Sequence, residues 1–61
     1  MTRLDIITLH NAFQGKLIIR EFENHVTVNT NLVGNSKFKS WYNRNLLPFE
    51  YVGGNNYKSY V

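Results

Sequence analysis

The fold is decided by one stretch of the chain, NSKFKSWYNRNLLPFEYVGGNNYKSYV, which covers residues 35–61. Its first part has the periodicity of an amphipathic helix, and the residue before Pro48 is disfavoured in the helical conformation. We therefore predict a helix over residues 37–47. Its N-cap is expected to be Asn35 or Ser36, because both side chains accept hydrogen bonds from the first free amides of a helix.

The predicted helix has two different sides at 100° per residue. The apolar arc consists of Phe38, Trp41, Tyr42, Asn45 and Leu46. The opposite, polar arc consists of Lys37, Ser40, Asn43, Arg44 and Leu47. We expect the three aromatic residues of the first arc to form the core, with Phe49 or Tyr51 packing onto them.

A β-hairpin is predicted directly after this helix. Residues 49–52 and 57–61 are strand-like, and they are separated by four residues that tolerate positive φ, which are Gly53, Gly54, Asn55 and Asn56. Either the two glycines alone form the turn or all four residues form the loop. A helix followed by a hairpin is the order found in winged DNA-binding domains, where the hairpin is the wing.

A second hairpin is predicted in the N-terminal half. Residues 17–22 and 26–30 have strand patterns, and Glu23 to His25 form a polar turn between them. Asn24 can adopt the left-handed conformation in this turn at low cost.

Residues 2–14 fit either a helix or a strand. Thr2 and Asp5 match a capping box, and Gly15 stands where a glycine commonly follows the last turn, so the helix is favoured. The apolar residues of this segment do not gather on one helical face, and the Ile-Ile-Thr run also suits a strand.

Length and composition restrict the possibilities. The 61 residues give one small α+β domain, 1–61, in which two hairpins pack on one helix around a thin core, and we see no internal repeat. Without cysteine, disulfides and thiolate metal sites are excluded, so self-association is the expected source of extra stability. No apolar run reaches the roughly 18 residues that span a bilayer, and no secretion signal is present, so we expect a soluble cytoplasmic protein that does not enter membranes.

The positive charge lies after Gly34. Acidic and basic residues balance before it, so the net charge of +3 belongs to the C-terminal half, which also holds most of the aromatic residues. A basic, aromatic segment favours a polyanionic partner, and DNA is the partner we expect.

The candidate DNA contacts form two groups. The exposed helical face offers Lys37, Ser40, Asn43 and Arg44, residue types that bind phosphates and base edges. The hairpin tip offers the backbone amides of Gly53, Gly54 and Asn55, with Lys58 nearby. Tyr57 or Tyr60 is a further candidate, for stacking on bases.

An enzyme is not expected from this sequence. His10 and His25 are the only histidines, and neither they nor the four carboxylates have ligand or triad spacing. We therefore predict no catalytic residue, no metal site and no cofactor.

Two family resemblances run through the same stretch. Phe38-x-x-Trp41-x-x-Arg44, followed by FEYVGG at residues 49–54 and Tyr57, resembles the DNA-binding region of phage antirepressors of the AntA and KilA-N kind. The segment from Trp41 to Tyr57 is also similar to excisionase-like winged helices, in its Leu-Pro and Val-Gly-Gly positions. Both resemblances imply a small DNA-binding regulator or accessory factor of a phage or mobile element, acting in the host cytoplasm.

Two other functions fit the same chain. One is a phage-encoded module that binds and inhibits a host protein, because exposed Tyr and Arg are enriched in interfaces. The other is a self-assembling module that uses its last strand, residues 57–61, as an open edge.

Overall fold

The computed structural model describes residues 3–60 and confirms a small α+β fold. Two helices and one four-stranded antiparallel sheet follow in the order α1 (Arg3–Ala12), β1 (Ile18–Glu21), β2 (His25–Asn29), α2 (Asn35–Arg44), β3 (Glu50–Gly53) and β4 (Asn56–Tyr60). Thr2 of the predicted capping box and the last residue of the predicted final strand lie outside the described residues. Within residues 3–60, neither helix has the length and apolar character that crossing a membrane requires.

The N-terminal segment forms helix α1, which is the alternative that the sequence favours over a strand. Ile6, Leu9 and Phe13 are buried at helical spacing, whereas Leu4 and Ile7 remain largely exposed. The sequence pattern was ambiguous because only part of its apolar content faces the core.

Both predicted hairpins are present, and they join into a single sheet. The strand order is β1-β2-β4-β3, with β2 and β4 antiparallel at the centre. The expectation of an open edge at the last strand is therefore wrong, because β4 is internal and β1 and β3 form the edges. β2 and β4 occupy the centre because each buries alternate side chains, Val26 and Val28 on one and Tyr57 and Ser59 on the other.

The core lies between the helices and one face of the sheet, and Phe38 is at its centre. This side chain is 0 % exposed, and its ring lies 5.0 to 6.5 Å from five other aromatic rings, those of Phe13, Trp41, Tyr42, Phe49 and Tyr57. Phe38 and Tyr42 are buried as predicted, and Trp41 is half-buried against the same cluster.

The two turns differ in conformation. In the first hairpin, the Phe22 amide donates to the His25 carbonyl (2.8 Å), and the turn forms without a left-handed Asn24. In the second, Gly54 (φ 55°) and Asn55 (φ 64°) are the central residues, both left-handed as in a type I′ turn. Gly53 and Asn56 pair with each other as strand residues, and the register shifts between Tyr51 and Gly53. The turn is therefore neither Gly53-Gly54 alone nor a loop of all four residues.

Helix α2 begins and ends earlier than predicted. Gly34 occupies the N-cap position without a side-chain cap, so the assignment of this role to Asn35 or Ser36 is wrong. At the other end, Leu46 has a φ of 58° and is 89 % exposed, whereas Leu47 packs against the core. The predicted burial of these two leucines is reversed because the helix stops at Arg44.

Both helices end in a Schellman motif without glycine at the left-handed position. In α2 the Leu47 amide donates to the Tyr42 carbonyl (2.9 Å) and the Leu46 amide to the Asn43 carbonyl (3.2 Å). In α1 the corresponding left-handed residue is Gln14, with Gly15 after it, so Gly15 is one place later than expected.

Replacing Leu46 with glycine is expected to stabilise the protein by roughly 0.5–1 kcal/mol, because an exposed leucine bears the cost of the left-handed conformation. Chemical denaturation measures the change. Leu46→Ala is the matched control, since it removes the same exposed side chain and keeps the backbone cost. An equal gain in both variants would contradict the backbone explanation.

The two halves of the chain share one arrangement that the sequence did not reveal. Each contains a helix, a Schellman end, an outer strand and a central strand, and the central strands pair antiparallel. The order of helix, outer strand and central strand therefore occurs twice along the chain.

Candidate nucleic-acid interface

Helix α2 exposes the polar face that its sequence predicts. Lys37, Ser40, Asn43 and Arg44 are all exposed, while Phe38 and Tyr42 fix the opposite side of the helix in the core. Ser36 and Lys39 are also exposed on this helix.

The charge of the chain is concentrated in this helix. The ten residues of α2 contain three cationic side chains and no carboxylate. The remaining Lys and Arg number four, equal to the four Asp and Glu, so the net charge of +3 is that of α2. The excess positive charge that the sequence places after Gly34 therefore lies on one helix.

A groove of about 340 Å³ runs between α2 and the β3–β4 hairpin. Its lining consists of Asn35, Ser36, Lys39, Tyr42, Tyr51 and Tyr57. Burial raises the pKa of Tyr57, with the nearby phenols of Tyr42 and Tyr51 adding to the effect, so its hydroxyl remains neutral at physiological pH.

The tip of the second hairpin is held against the start of α2. The Thr30 amide donates to the Asn55 carbonyl (2.9 Å), and the Asn35 side-chain amide donates to Asn55 Oδ1 (2.9 Å). Thr30 is fully buried, and its hydroxyl has two acceptors within reach of its single proton, Asn35 Oδ1 (2.6 Å) and the Asn55 carbonyl (3.1 Å). Two oxygens of Asn55 are therefore engaged inside the protein, and Gly54 is the exposed part of the tip.

Lys58 lies on the other side of the molecule from the exposed face of α2. On β4, Tyr57 and Ser59 point to the helices, so Lys58 belongs to the opposite face of the sheet, which we call the outer face. Its Nζ lies 4.8 Å from the centroid of the Tyr60 ring. The predicted contact residues are thus divided between α2 and the outer face, with Gly53, Gly54 and Asn55 at the margin between them.

The chain matches no protein-family model, no curated protein and no solved structure. The resemblance to antirepressors and excisionases therefore rests on the residues quoted above. Among residues 3–60, no group of three His, Asp or Glu side chains is placed to hold a metal ion.

The two candidates for stacking on bases have different positions. Tyr57 is buried in the core, so that part of the prediction is wrong. Tyr60 is 57 % exposed on the outer face, near His25, whose ring stacks on that of Phe22. The sequence did not indicate this grouping, because it depends on the pairing of β2 with β4.

Proposed function

We propose that this protein binds duplex DNA through the exposed face of α2. The observation that carries the proposal is the concentration of the whole net charge in one exposed ten-residue helix without a carboxylate. DNA is a polyanion, and an α-helix fits its major groove.

The spacing of the charges on α2 suits a groove. Lys37 lies in the first turn and Arg44 in the last, which places their Cα atoms about 10 Å apart along the helix axis. A B-DNA major groove is about 12 Å wide, so the two long side chains reach towards the phosphates at its edges. Ser40 and Asn43 lie between them, where their side chains are suited to contacting bases.

The first turn of α2 adds to the positive electrostatic potential of the helix. Gly34 offers no side-chain cap, so amide groups of the first turn remain available to an anion, and the helix dipole places partial positive charge there. Lys37 and Lys39 lie beside this end of the helix, so charge and dipole act together.

The test is a fluorescence-anisotropy titration of a labelled duplex at several salt concentrations. About three phosphate contacts give a log–log slope of binding constant against salt of around −3. Absence of duplex binding at low salt would remove the proposal.

The biological role follows from the resemblance alone. A DNA-binding chain of this size, similar to antirepressors and excisionases, is proposed to act as a regulator or accessory factor of a phage or other mobile element in the host cytoplasm. Host DNA or the element's own DNA is then its partner.

Binding to a host protein is the second candidate. Leu4 and Ile7 are exposed on α1, and apolar side chains on a helix surface are typical of protein interfaces. The titration above separates the two functions, since a host-protein inhibitor has no reason to bind duplex DNA with a steep salt dependence.

A further inference from the structure

We propose that the outer face of the sheet is a second nucleic-acid surface, which binds a single-stranded segment independently of α2. Among residues 3–60, both helices pack on the other face of the sheet, so this face is open to a partner. The inference rests on the composition of the outer face and stands whether or not α2 binds a duplex.

The outer face is ordered in three rows across the strands. The first is an aromatic row of Phe22, His25 and Tyr60, with ring centroids 4.5 Å apart for the first pair and 6.4 Å for the second. The second is a charged row, in which Arg20 and Lys58 lie on either side of Thr27 and Glu50 lies at the edge. The third is an amide row of Asn29 and Asn56, flanked by Ile18 and Val52.

The aromatic row and the charged row each suit one chemical component of a single-stranded nucleic acid. Phe22 and Tyr60 are 50 % and 57 % exposed, so their rings are available for stacking on bases. Arg20 and Lys58 supply positive charge for the phosphates, and only Glu50 opposes them in this row. Aromatic rings interleaved with cations are the combination that binds single-stranded nucleic acid without strong sequence preference.

The amide row lies at an open trough of about 710 Å³. Asn29 Nδ2 donates to Asn56 Oδ1 (3.0 Å), and each amide retains further donor or acceptor capacity for a base edge. The trough lining combines Arg20, Thr27 and amide side chains with the apolar side chains of Ile18 and Val52, and it contains no carboxylate. A cation and several amides beside apolar side chains suit the phosphates and base edges of a nucleic acid better than they suit a purely apolar protein segment.

The width of the sheet favours a single strand over a duplex. Three spacings between neighbouring strands make the face about 14 Å wide between its outer backbones, before side chains are added. The major groove is about 12 Å wide, so the whole face does not enter it. A flexible single strand can follow the twisted surface, and four-stranded sheets of RNA-binding domains stack two or three bases in this way.

The test uses labelled twelve-residue oligothymidylate and oligouridylate, titrated beside the labelled duplex. Phe22→Ala with Tyr60→Ala is expected to weaken single-strand binding about tenfold or more and to leave duplex binding within about twofold. Leu4→Ala is the control, since Leu4 is an exposed apolar residue on α1, outside both proposed nucleic-acid surfaces, and its truncation should leave both binding activities unchanged. Because the two ligands report on two surfaces, loss of one binding activity is distinguishable from loss of the other.

A second variant keeps the proposal testable if the aromatic pair cannot be removed without unfolding. Arg20→Ala with Lys58→Ala should lower the salt slope of single-strand binding by about 1.4, the value for two phosphate contacts on a single strand. Failure to bind either oligonucleotide at low salt overturns the proposal, as does equal weakening by Leu4→Ala. Concentration-dependent dimerisation that Phe22→Ala with Tyr60→Ala abolishes also overturns it, in favour of a second copy of the chain on this face.

Discussion

Replacing Phe38 with alanine is expected to unfold the protein. The side chain is fully buried among five aromatic rings, which come from α2, β4 and the segments that follow α1 and precede β3, so its removal leaves a cavity where these parts of the chain meet. Truncating a buried Phe typically costs about 3–5 kcal/mol. Proteins have roughly 0.05–0.15 kcal/mol of stability per residue, which makes this loss comparable to the whole for so small a chain. Far-UV circular dichroism across a thermal scan measures the result.

Leu32→Ala is the control for this experiment. Leu32 is 68 % exposed in the connection between β2 and α2, so its truncation should change the free energy of unfolding by no more than about 0.5 kcal/mol. A Phe38→Ala variant that melts cooperatively near the wild-type temperature would show that the aromatic cluster is not the centre of the core.

The second large effect is expected for DNA binding, when Lys37 and Arg44 are both replaced with alanine. Two phosphate contacts disappear, so the salt slope should change from around −3 to around −1. Affinity at low salt should fall by roughly a hundredfold or more, because a hydrogen bond to a charged group contributes about 1.5–3 kcal/mol. Stability should be unaffected, since both side chains are exposed. Anisotropy titrations and a thermal scan on the same sample measure the two quantities.

A charge-matched control separates specific contacts from net charge. Lys16→Ala with Arg20→Ala removes the same two charges from exposed positions outside α2. If duplex binding reflected only the overall charge, both double variants would lose affinity equally. A clearly smaller loss in the control is the result that places the contact on α2.

The helix and hairpins were predictable because their signals are local. The Pro48 stop, the aromatic spacing of Phe38 and Tyr42 and the glycine-rich turn each act within a few residues. The helix ends were harder to place. Leu46 adopts a left-handed conformation that leucine rarely takes, because the burial of the neighbouring Leu47 and two backbone hydrogen bonds determine it.

The candidate site was predictable on α2 and not on the sheet. Lys37, Ser40, Asn43 and Arg44 share a face through helical geometry alone, which the sequence contains. The sequence groups Lys58 with the hairpin tip because the two are close along the chain, but alternation along β4 places Lys58 on the outer face. The aromatic row and the contacts of Asn55 with Thr30 and Asn35 join residues far apart in the chain, so they depend on the β2–β4 register.

The repeated element order of the two halves has a consequence for the proposal that α2 binds DNA. Proteins with two equivalent binding helices read palindromes, because each half meets an identical half-site. Here the backbone repeats but the charge does not. Helix α2 carries three cations, while the equivalent helix α1 exposes Leu4 and Ile7. If α2 binds DNA as proposed, a repeated topology with only one cationic helix suits a site without a dyad, bound by one chain.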